Sequence, residues 1–478
     1  MRSLFSALGF LAATASALNT IEVSNQEFID SKTGDRFMII GVDYQPGGQD
    51  AYGTGAGDPL SNPKACLRDA ALMQDMGINT IRIYNLDSSL NHDECVSIFN
   101  EVGIYMIIDV NSPLSGESID RSDPPSSYHK GYLNHIFSVV EAFKDYPNTL
   151  GFFAGNEIIN DIGTAKENPQ YIRAVQRDLK NYIKNNANRA IPVGYSAADV
   201  REVLEDTWAY LQCQIGSGVD MSRSDFFGLN SYSWCGDASS FTISEYDKLV
   251  LMFGKSTIPV FFSEYGCNDP QPRLFDEVPT LYGPKMTVMS GGLVYEWSQE
   301  PSDYGLVQIN DDGSIKLLAD FNVLRDQYNS LDINLIRSEN TTATSLTPPD
   351  CDSSLITEDG FSTNFNIPDT PPGGDELINN GIKNPPSGSI VSITETAVQV
   401  AVVQTDGSRV KNLQIRPGAT EANFPGAVSG FATASGSGGA SATSKSSKGA
   451  AAAPTAVDRS VIGNAVAAAA LGAVAFAL

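Results

Sequence analysis

Short apolar runs alternate with amphipathic segments along the first two thirds of the chain. Eight runs have the length and composition of buried strands, and they cover residues 36–45, 80–84, 104–110, 150–157, 191–195, 226–232, 259–264 and 292–297. Apolar residues three and four apart predict helices between them, at 62–76, 93–102, 131–146, 169–185, 201–211 and 244–253, with a less regular segment up to 283 and a last helix near 318–328.

Alternating strands and helices predict a parallel sheet. Eight strands over about 290 residues match a (β/α)₈ barrel, which typically needs about 250 residues and tolerates insertions. A doubly wound open sheet is the alternative, but it offers no reason for so many strands to end in polar side chains. The predicted fold class is therefore α/β, a (β/α)₈ TIM barrel.

Two of the predicted strands end abruptly in a carboxylate. Asn156 and Glu157 end the fourth strand, and Glu264 ends the seventh. Catalytic groups of such barrels sit at the C-terminal ends of the strands, and glycoside cleavage needs two carboxyl groups. A glutamate at a strand end, taken alone, is more often a helix cap or a loop residue; the two together predict a glycosidase-type site.

Further polar and aromatic side chains end the other strands. They are Tyr44, Gln45, Tyr84, Asp109, Tyr232, Trp234, Tyr265, Tyr295, Glu296 and Trp297. Aromatic faces can stack on sugar rings while amides and carboxylates bind hydroxyls, so this set favours a carbohydrate cleft. Structural roles remain open: Asp109 could orient Arg82, Tyr84 and Tyr232 could cover the barrel mouth, and Glu296 could be structural. Asp43, Asp199 and Glu277 are left unassigned.

Composition excludes several other functions. The formal net charge is -25 and the sequence pI is about 4.4, which argues against nucleic-acid binding. Neither a phosphate-binding loop with lysine nor a Gly-x-Gly-x-x-Gly motif after a strand occurs. There is no Cys-x-x-Cys and there are three histidines (His92, His129, His135), so we predict neither a metal site nor a cofactor.

The two ends of the chain predict a secreted, lipid-anchored protein. Residues 1–17 have a positive start, an apolar stretch and a small-residue cleavage site, as in a signal peptide; a buried first helix is the alternative. Residues 450–478 end in an uncharged apolar tail after small residues, which is typical of GPI attachment, here near Gly449. A terminal membrane-spanning helix is the alternative. The predicted location is the outer face of the plasma membrane, or the cell wall.

Between these ends we predict a catalytic barrel at 18–340, an extension at 341–416 and a flexible Ser/Gly/Ala stalk at 417–449. Two β-like runs, 389–393 and 397–403, fall in the extension and could pack on the barrel. Asn340 begins an Asn-Thr-Thr glycosylation acceptor. Six cysteines in an extracellular chain suggest three disulfides, whose pairing the spacing does not determine.

Five motifs carry a resemblance to a known family. They are GVDYQPGG at 41–48, RIYN at 82–85, FAGNE at 153–157, NSYSWC at 230–235 and FSEYGC at 262–267. Over residues 20–370 the chain resembles the fungal GPI-anchored β-1,3-glucanosyltransferases, the Gas, Gel and Phr proteins of the retaining Glu/Glu glycosidase clan. The resemblance implies that Glu157 is the acid/base and Glu264 the nucleophile. It also implies subsite residues, namely Gln45, Tyr84, Asp109, Asn156, Tyr232 and Tyr295.

The same resemblance implies three disulfides, Cys66–Cys95, Cys213–Cys351 and Cys235–Cys267. Some members carry a cysteine-rich carbohydrate-binding module, which we do not expect here because no cysteine follows Cys351. The implied partners are a β-1,3-glucan donor, a glucan acceptor and a membrane reached through the lipid anchor, with no obligate protein partner.

The expected chemistry is cleavage of β-1,3-glucan with retention, followed by transfer to the non-reducing end of another chain. Residue types and spacing do not separate this reaction from hydrolysis by an endo-β-1,3-glucanase; only the resemblance favours transfer. A non-catalytic glucan-binding wall protein is a third alternative. The mechanism requires carboxyl groups about 5–5.5 Å apart, a raised pKa for Glu157, an ionised Glu264, and Asn156 on the 2-hydroxyl of the attacked sugar.

Overall fold

Eight parallel strands form a closed barrel in the computed structural model, which describes residues 18–52, 57–338 and 346–418. Consecutive barrel strands are hydrogen-bonded neighbours, and the last of them pairs with the first, Gly291 opposite Ile39. The predicted barrel is thereby confirmed and the open sheet is excluded, because an open sheet would leave two unpaired edges.

The strands are Ile21–Ser24 (β1), Glu27–Asp30 (β2), Arg36–Phe37 (β3), Ile39–Asp43 (β4), Thr80–Ile83 (β5), Tyr105–Asp109 (β6), Thr149–Asn156 (β7), Val193–Ala198 (β8), Phe227–Ser231 (β9), Val260–Tyr265 (β10), Gly291–Val294 (β11), Val307–Ile309 (β12), Ile315–Leu317 (β13) and Val402–Val403 (β14). The barrel consists of β4 to β11.

The α-helices are Gly48–Ala51 (α1), Pro63–Met76 (α2), Asp93–Glu101 (α3), Pro124–Ser127 (α4), Lys130–Phe143 (α5), Asn168–Asn186 (α6), Arg201–Gln212 (α7), Tyr246–Phe253 (α8), Val278–Leu281 (α9), Ala319–Asn329 (α10), Ile333–Arg337 (α11) and Gly374–Asn380 (α12). Local sequence explains the ends of α2: the Asn62 side chain accepts a hydrogen bond from the Ala65 N–H, and Gly77 ends the helix with φ 75°.

The first apolar run, predicted as one strand over 36–45, divides between two sheets. Its beginning is β3, which pairs with β2 in the antiparallel sheet β1-β2-β3, and its continuation is β4 of the barrel. The ring of Phe28 on β2 lies 6.0 Å from Phe226 and 5.9 Å from Phe261. The small sheet therefore closes the N-terminal end of the barrel with apolar side chains and leaves the opposite end for chemistry.

The extension after residue 346 runs around the outside of the barrel. The N–H of Glu358 donates to Asp206 at 2.7 Å, and the N–H groups of Ser389 and Arg416 donate to Asp93 and Gln74 at 2.7 and 2.9 Å. It thus passes from α7 to α3 and then α2, by way of α12, which packs on α5 and α6. Of the two predicted β-like runs only Val402–Val403 is a strand, and it adds to β13 in parallel.

Three disulfides join Cys66 to Cys95, Cys213 to Cys351 and Cys235 to Cys267. These are the pairs that the resemblance implies. Cys213–Cys351 ties the start of the extension to the end of α7.

Several sequence predictions lie outside the described residues. They are the signal peptide 1–17, the glycosylation acceptor Asn340, nearly all of the stalk 417–449, and the tail 450–478 with Gly449. Among the helices that the structure describes, none combines the length and apolar character that crossing a membrane requires.

Candidate active site

Glu264 lies on β10 at the C-terminal mouth of the barrel and is 9% exposed. Its carboxylate accepts three hydrogen bonds: Arg82 Nη1 at 3.1 Å and the Tyr84 hydroxyl at 2.9 Å on Oε1, and the Tyr232 hydroxyl at 2.8 Å on Oε2. The donors come from β5 and from the residues directly after β5 and β9. Donors from two other strands, β5 and β9, therefore fix the orientation of the Glu264 carboxylate.

Burial raises the pKa of Glu264 to about 7, and the negative charge of Glu157 also raises it, whereas Arg82 and the two tyrosine hydroxyls lower it. This direction differs from the sequence expectation that Glu264 stays ionised. The physical reason is that removing a carboxylate from water disfavours its charged form more than these donors favour it.

Glu157 directly follows β7, with a backbone φ of 50°, a conformation that few residues other than glycine adopt. Its N–H donates to the Ser196 carbonyl at 2.9 Å, and Asn230 Nδ2 donates to its Oε1 at 2.8 Å. Its side chain is partly exposed, in contrast to that of Glu264. The backbone turn and the amide contact hold this carboxyl beside the nucleophile candidate, while one oxygen remains available.

Arg82 is fully buried at the centre of the mouth. It donates to both carboxylate oxygens of Asp109, at 2.9 and 3.2 Å, and to the Asn156 side-chain oxygen at 3.1 Å. Asp109 is itself 5% exposed. Of the two roles open for Asp109, orienting Arg82 or contacting substrate, the geometry favours the first. The Asn156 oxygen is occupied, so its amide nitrogen is the group free to meet a sugar hydroxyl.

Gln45 ties two loops together. Its Nε2 donates to the Gly57 carbonyl at 3.1 Å, and its Oε1 accepts from the Asn85 N–H at 3.1 Å. Only 6% of its surface is exposed. Its main contribution is therefore to hold these two loops together at the mouth.

Four partly exposed tyrosines form the aromatic wall of the mouth: Tyr84, Tyr232, Tyr295 and Tyr304. Ring centroids lie 6.5 Å apart for Tyr84–Tyr295, 5.5 Å for Tyr232–Tyr304 and 5.3 Å for Tyr295–Tyr304. Sequence reasoning missed Tyr304, which stands in the loop between β11 and β12 and not at a strand end.

Four other aromatics at predicted strand ends do not line the mouth. Tyr44 donates to Asp69 of α2 at 2.9 Å, and Tyr265 exchanges a hydrogen bond with Tyr328 of α10. Trp234 and Trp297 pack in the core against Tyr246 and Phe321. Their expected contribution to the cleft is therefore corrected: the hydrogen bonds and ring contacts above direct these four side chains to the surrounding helices.

Two buried carboxyl groups stand near Glu264. Asp43 at the end of β4 is fully buried, and burial, followed by the charge of Glu264, raises its pKa well above the ordinary range. Burial, together with the charge of Glu300 and a hydrogen bond shared with it, raises the pKa of Glu296 to about 9. Glu296 is therefore neutral near pH 7. Within the described ranges, no three His, Cys, Asp or Glu side chains are grouped so that they could hold a metal ion.

Comparisons with known proteins show which proteins this chain is similar to. The family model described as Glucanosyltransferase, glycoside hydrolase family 72, matches residues 10–332. The chain is 54% identical over 432 residues to 1,3-β-glucanosyltransferase gel2 of Aspergillus fumigatus, covering 90% of both chains. It is 40% identical to 1,3-β-glucanosyltransferase GAS4 of Saccharomyces cerevisiae, over 88% of this chain and 89% of that one.

The structure of a Saccharomyces cerevisiae Gas2p mutant in complex with laminaritetraose and laminaripentaose superimposes with a TM-score of 0.65 at 35% identity. The match covers 74% of this chain and 75% of that chain.

Proposed function

The chain belongs to the glucanosyltransferases of glycoside hydrolase family 72, and from that premise we propose how Glu157 and Glu264 carry out its reaction. The enzyme cleaves β-1,3-glucan, releases the fragment on the leaving-group side and transfers the new reducing end of the chain it retains to another glucan, with retention of configuration. One observation carries the residue assignment: Glu264 is held by three donors while Glu157 keeps one oxygen free beside it.

In the first half of the reaction Glu264 attacks the anomeric carbon as a carboxylate. Glu157 gives its proton to the departing glycosidic oxygen, and a covalent glycosyl-enzyme forms. The three donors on Glu264 keep its oxygens in line for attack, and the free amide nitrogen of Asn156 is placed for the 2-hydroxyl of the attacked sugar.

In the second half Glu157, now a carboxylate, removes the proton from the 3-hydroxyl at the non-reducing end of an acceptor glucan. The new bond keeps the β configuration because two inversions occur. Water in place of the acceptor would give hydrolysis. The aromatic wall of the mouth supports transfer over hydrolysis, since aromatic faces bind a sugar acceptor more strongly than they bind water.

The test is the product profile from a reduced laminari-oligosaccharide, with purified protein beside Glu264→Gln and Glu157→Gln. Products longer than the donor, lost in both variants, are expected; the newly formed glycosidic linkage should be β by proton NMR. Glu205→Gln, on the exposed side of α7, is the matched control. If only shorter products form, the hydrolase assignment replaces the proposed one, and full activity in either variant would remove that residue from the mechanism.

The proposed location is the outer face of the plasma membrane or the wall, through a GPI lipid attached near Gly449, with an N-glycan on Asn340. The signal-like start, the small residues and the apolar tail support this proposal. Release of the protein from intact cells by a phosphatidylinositol-specific phospholipase C would be expected. Secretion into the medium without that treatment would contradict it.

A further inference from the structure

Asn230 lies near the end of β9, between the two carboxylates, and is 4% exposed. Its α-carbon is paired with Glu264 on β10 and with Ala198 on β8. Asn230 therefore stands on β9, the strand beside β10 with Glu264, and its side chain reaches Glu157. Asn230 has no assigned role in the mechanism described above.

Both ends of the Asn230 amide are engaged. Its Nδ2 donates to Glu157 Oε1 at 2.8 Å and to Asn156 Oδ1 at 3.1 Å. Its Oδ1 accepts from the hydroxyls of Ser263 and Ser196, at 2.8 and 3.1 Å. Because the two hydroxyls donate to the oxygen, the amide cannot flip without losing them, and its nitrogen stays directed at the carboxyl.

This contact is the one side-chain hydrogen bond that the described residues make to the Glu157 carboxyl. A partly exposed glutamate has several rotamers, and proton transfer requires one of them. Oε1 is held by the amide, and no side chain of the described residues donates a hydrogen bond to Oε2.

We propose that Asn230 is a positioning residue for Glu157: it holds Oε1 so that Oε2 delivers and recovers the transferred proton. The proposal rests on the proposed function, because it takes Glu157 as the acid/base. When the glycosidic bond breaks, the proton moves from Oε2 to the departing oxygen and the carboxyl becomes a carboxylate. The Asn230 N–H then stabilises the new charge, and the acceptor hydroxyl returns a proton to Oε2.

Leaving-group dependence tests this role, because a good leaving group needs no proton. The variants are Asn230→Ala, Asn230→Asp, which keeps the shape but presents no amide donor, and Glu157→Gln. Each is assayed for glycosyl-enzyme formation with an unsubstituted laminari-oligosaccharide and with its 2,4-dinitrophenyl β-glycoside. For Glu157→Gln we expect a loss of about 10²-fold or more on the unsubstituted donor and little loss on the activated one.

For both Asn230 variants we expect a loss of about ten- to a hundredfold on the unsubstituted donor, the worth of a hydrogen bond to a charged group, and near-normal use of the dinitrophenyl donor. Asn148→Ala is the matched control. Asn148 is a fully buried amide at the N-terminal end of β7 whose Nδ2 donates to two carbonyls, those of Val96 and Ile104, at 3.3 and 3.1 Å. It should lose stability without changing the ratio between donors.

Azide gives a second readout with the natural donor, since an anionic nucleophile needs no general base. Relative to wild type, the Asn230 variants should partition more product into the β-glycosyl azide and less into transferred glucan. Equal losses on both donors with unchanged azide partition would overturn the proposal and leave Asn230 a structural residue. A lack of leaving-group dependence in Glu157→Gln would instead remove the acid/base assignment itself. If Asn230→Ala does not fold, the isosteric Asn230→Asp decides.

Discussion

Replacing Glu264 by glutamine should make the stability of the protein less dependent on pH. Burial raises the pKa of this carboxyl from 4.5 to about 7, so the folded state holds a proton that the unfolded chain releases earlier. A raised carboxyl pKa contributes stability below the unfolded value, and that contribution is lost as pH rises through the folded value. Wild type should therefore lose stability relative to Glu264→Gln between pH 4.5 and about 7.

The magnitude follows from that interval. At about 1.4 kcal/mol per pKa unit, moving from 4.5 to about 7 corresponds to about 3 kcal/mol. Glutamine keeps the size of the side chain and one acceptor oxygen for Tyr84 or Tyr232, so the part of the difference that varies with pH reports ionisation.

The assay is urea unfolding of both proteins with disulfides intact, at half-unit steps from pH 4 to pH 8. The difference in unfolding free energy should be flat near pH 4, change most steeply between pH 5 and 7 in favour of Glu264→Gln, and level off above. Glu205→Gln controls for losing one carboxylate at the exposed surface of α7. A constant difference across the range would refute the reasoning: the Arg82 and tyrosine donors would then fully offset burial, and Glu264 would be ionised before substrate arrives.

Three further changes test other parts of the mouth. Asp43→Asn should raise the melting temperature relative to wild type progressively above pH 4, because burial raises the pKa of Asp43; parallel melting curves at pH 4 and pH 8 would contradict this. Arg82→Met should cost about 3–5 kcal/mol in denaturant unfolding, because Asp109 stays buried without its partner, and a loss below 1 kcal/mol would show that the pair is not needed. Tyr304→Ala should raise KM for glucan about five- to tenfold with a smaller effect on kcat, while Tyr304→Phe behaves as wild type; an unchanged KM would exclude Tyr304 from the sugar-binding wall.

Strand ends were predictable from sequence because position along a barrel strand determines where a side chain lies. Glu157 and Glu264 end apolar runs, and parallel strands deliver their C-terminal ends to one face. The order of the strands around a closed barrel follows the chain, so the sequence also indicated that residues from the fourth and seventh strands would share that face.

The inward or outward direction of individual side chains was not predictable in the same way. Tyr44 and Trp297 stand beside true mouth residues in sequence but face the surrounding helices. Register shifts occur in β7 between Phe153 and Asn156 and in β10 between Phe262 and Glu264. The regular alternation of inward and outward side chains is therefore interrupted next to the two catalytic glutamates. Tyr304 and the path of the extension depend on contacts with residues distant in sequence, which no local pattern encodes.

The distribution of donors around Glu264 suits a nucleophile that must lose its charge. Arg82 is shared with Asp109, which engages it through both oxygens, so Glu264 receives a single N–H from the cation and two hydroxyls from neutral tyrosines. When Glu264 becomes an ester in the glycosyl-enzyme, Arg82 keeps its main counter-charge and the tyrosines can still donate to ester oxygens. If Glu264 were the only counter-charge of Arg82, formation of the ester would leave a buried cation unpaired, at a cost of several kcal/mol. Sharing Arg82 with Asp109 therefore lowers the electrostatic cost of converting Glu264 from a carboxylate into the glycosyl ester, the step that both transfer and hydrolysis require.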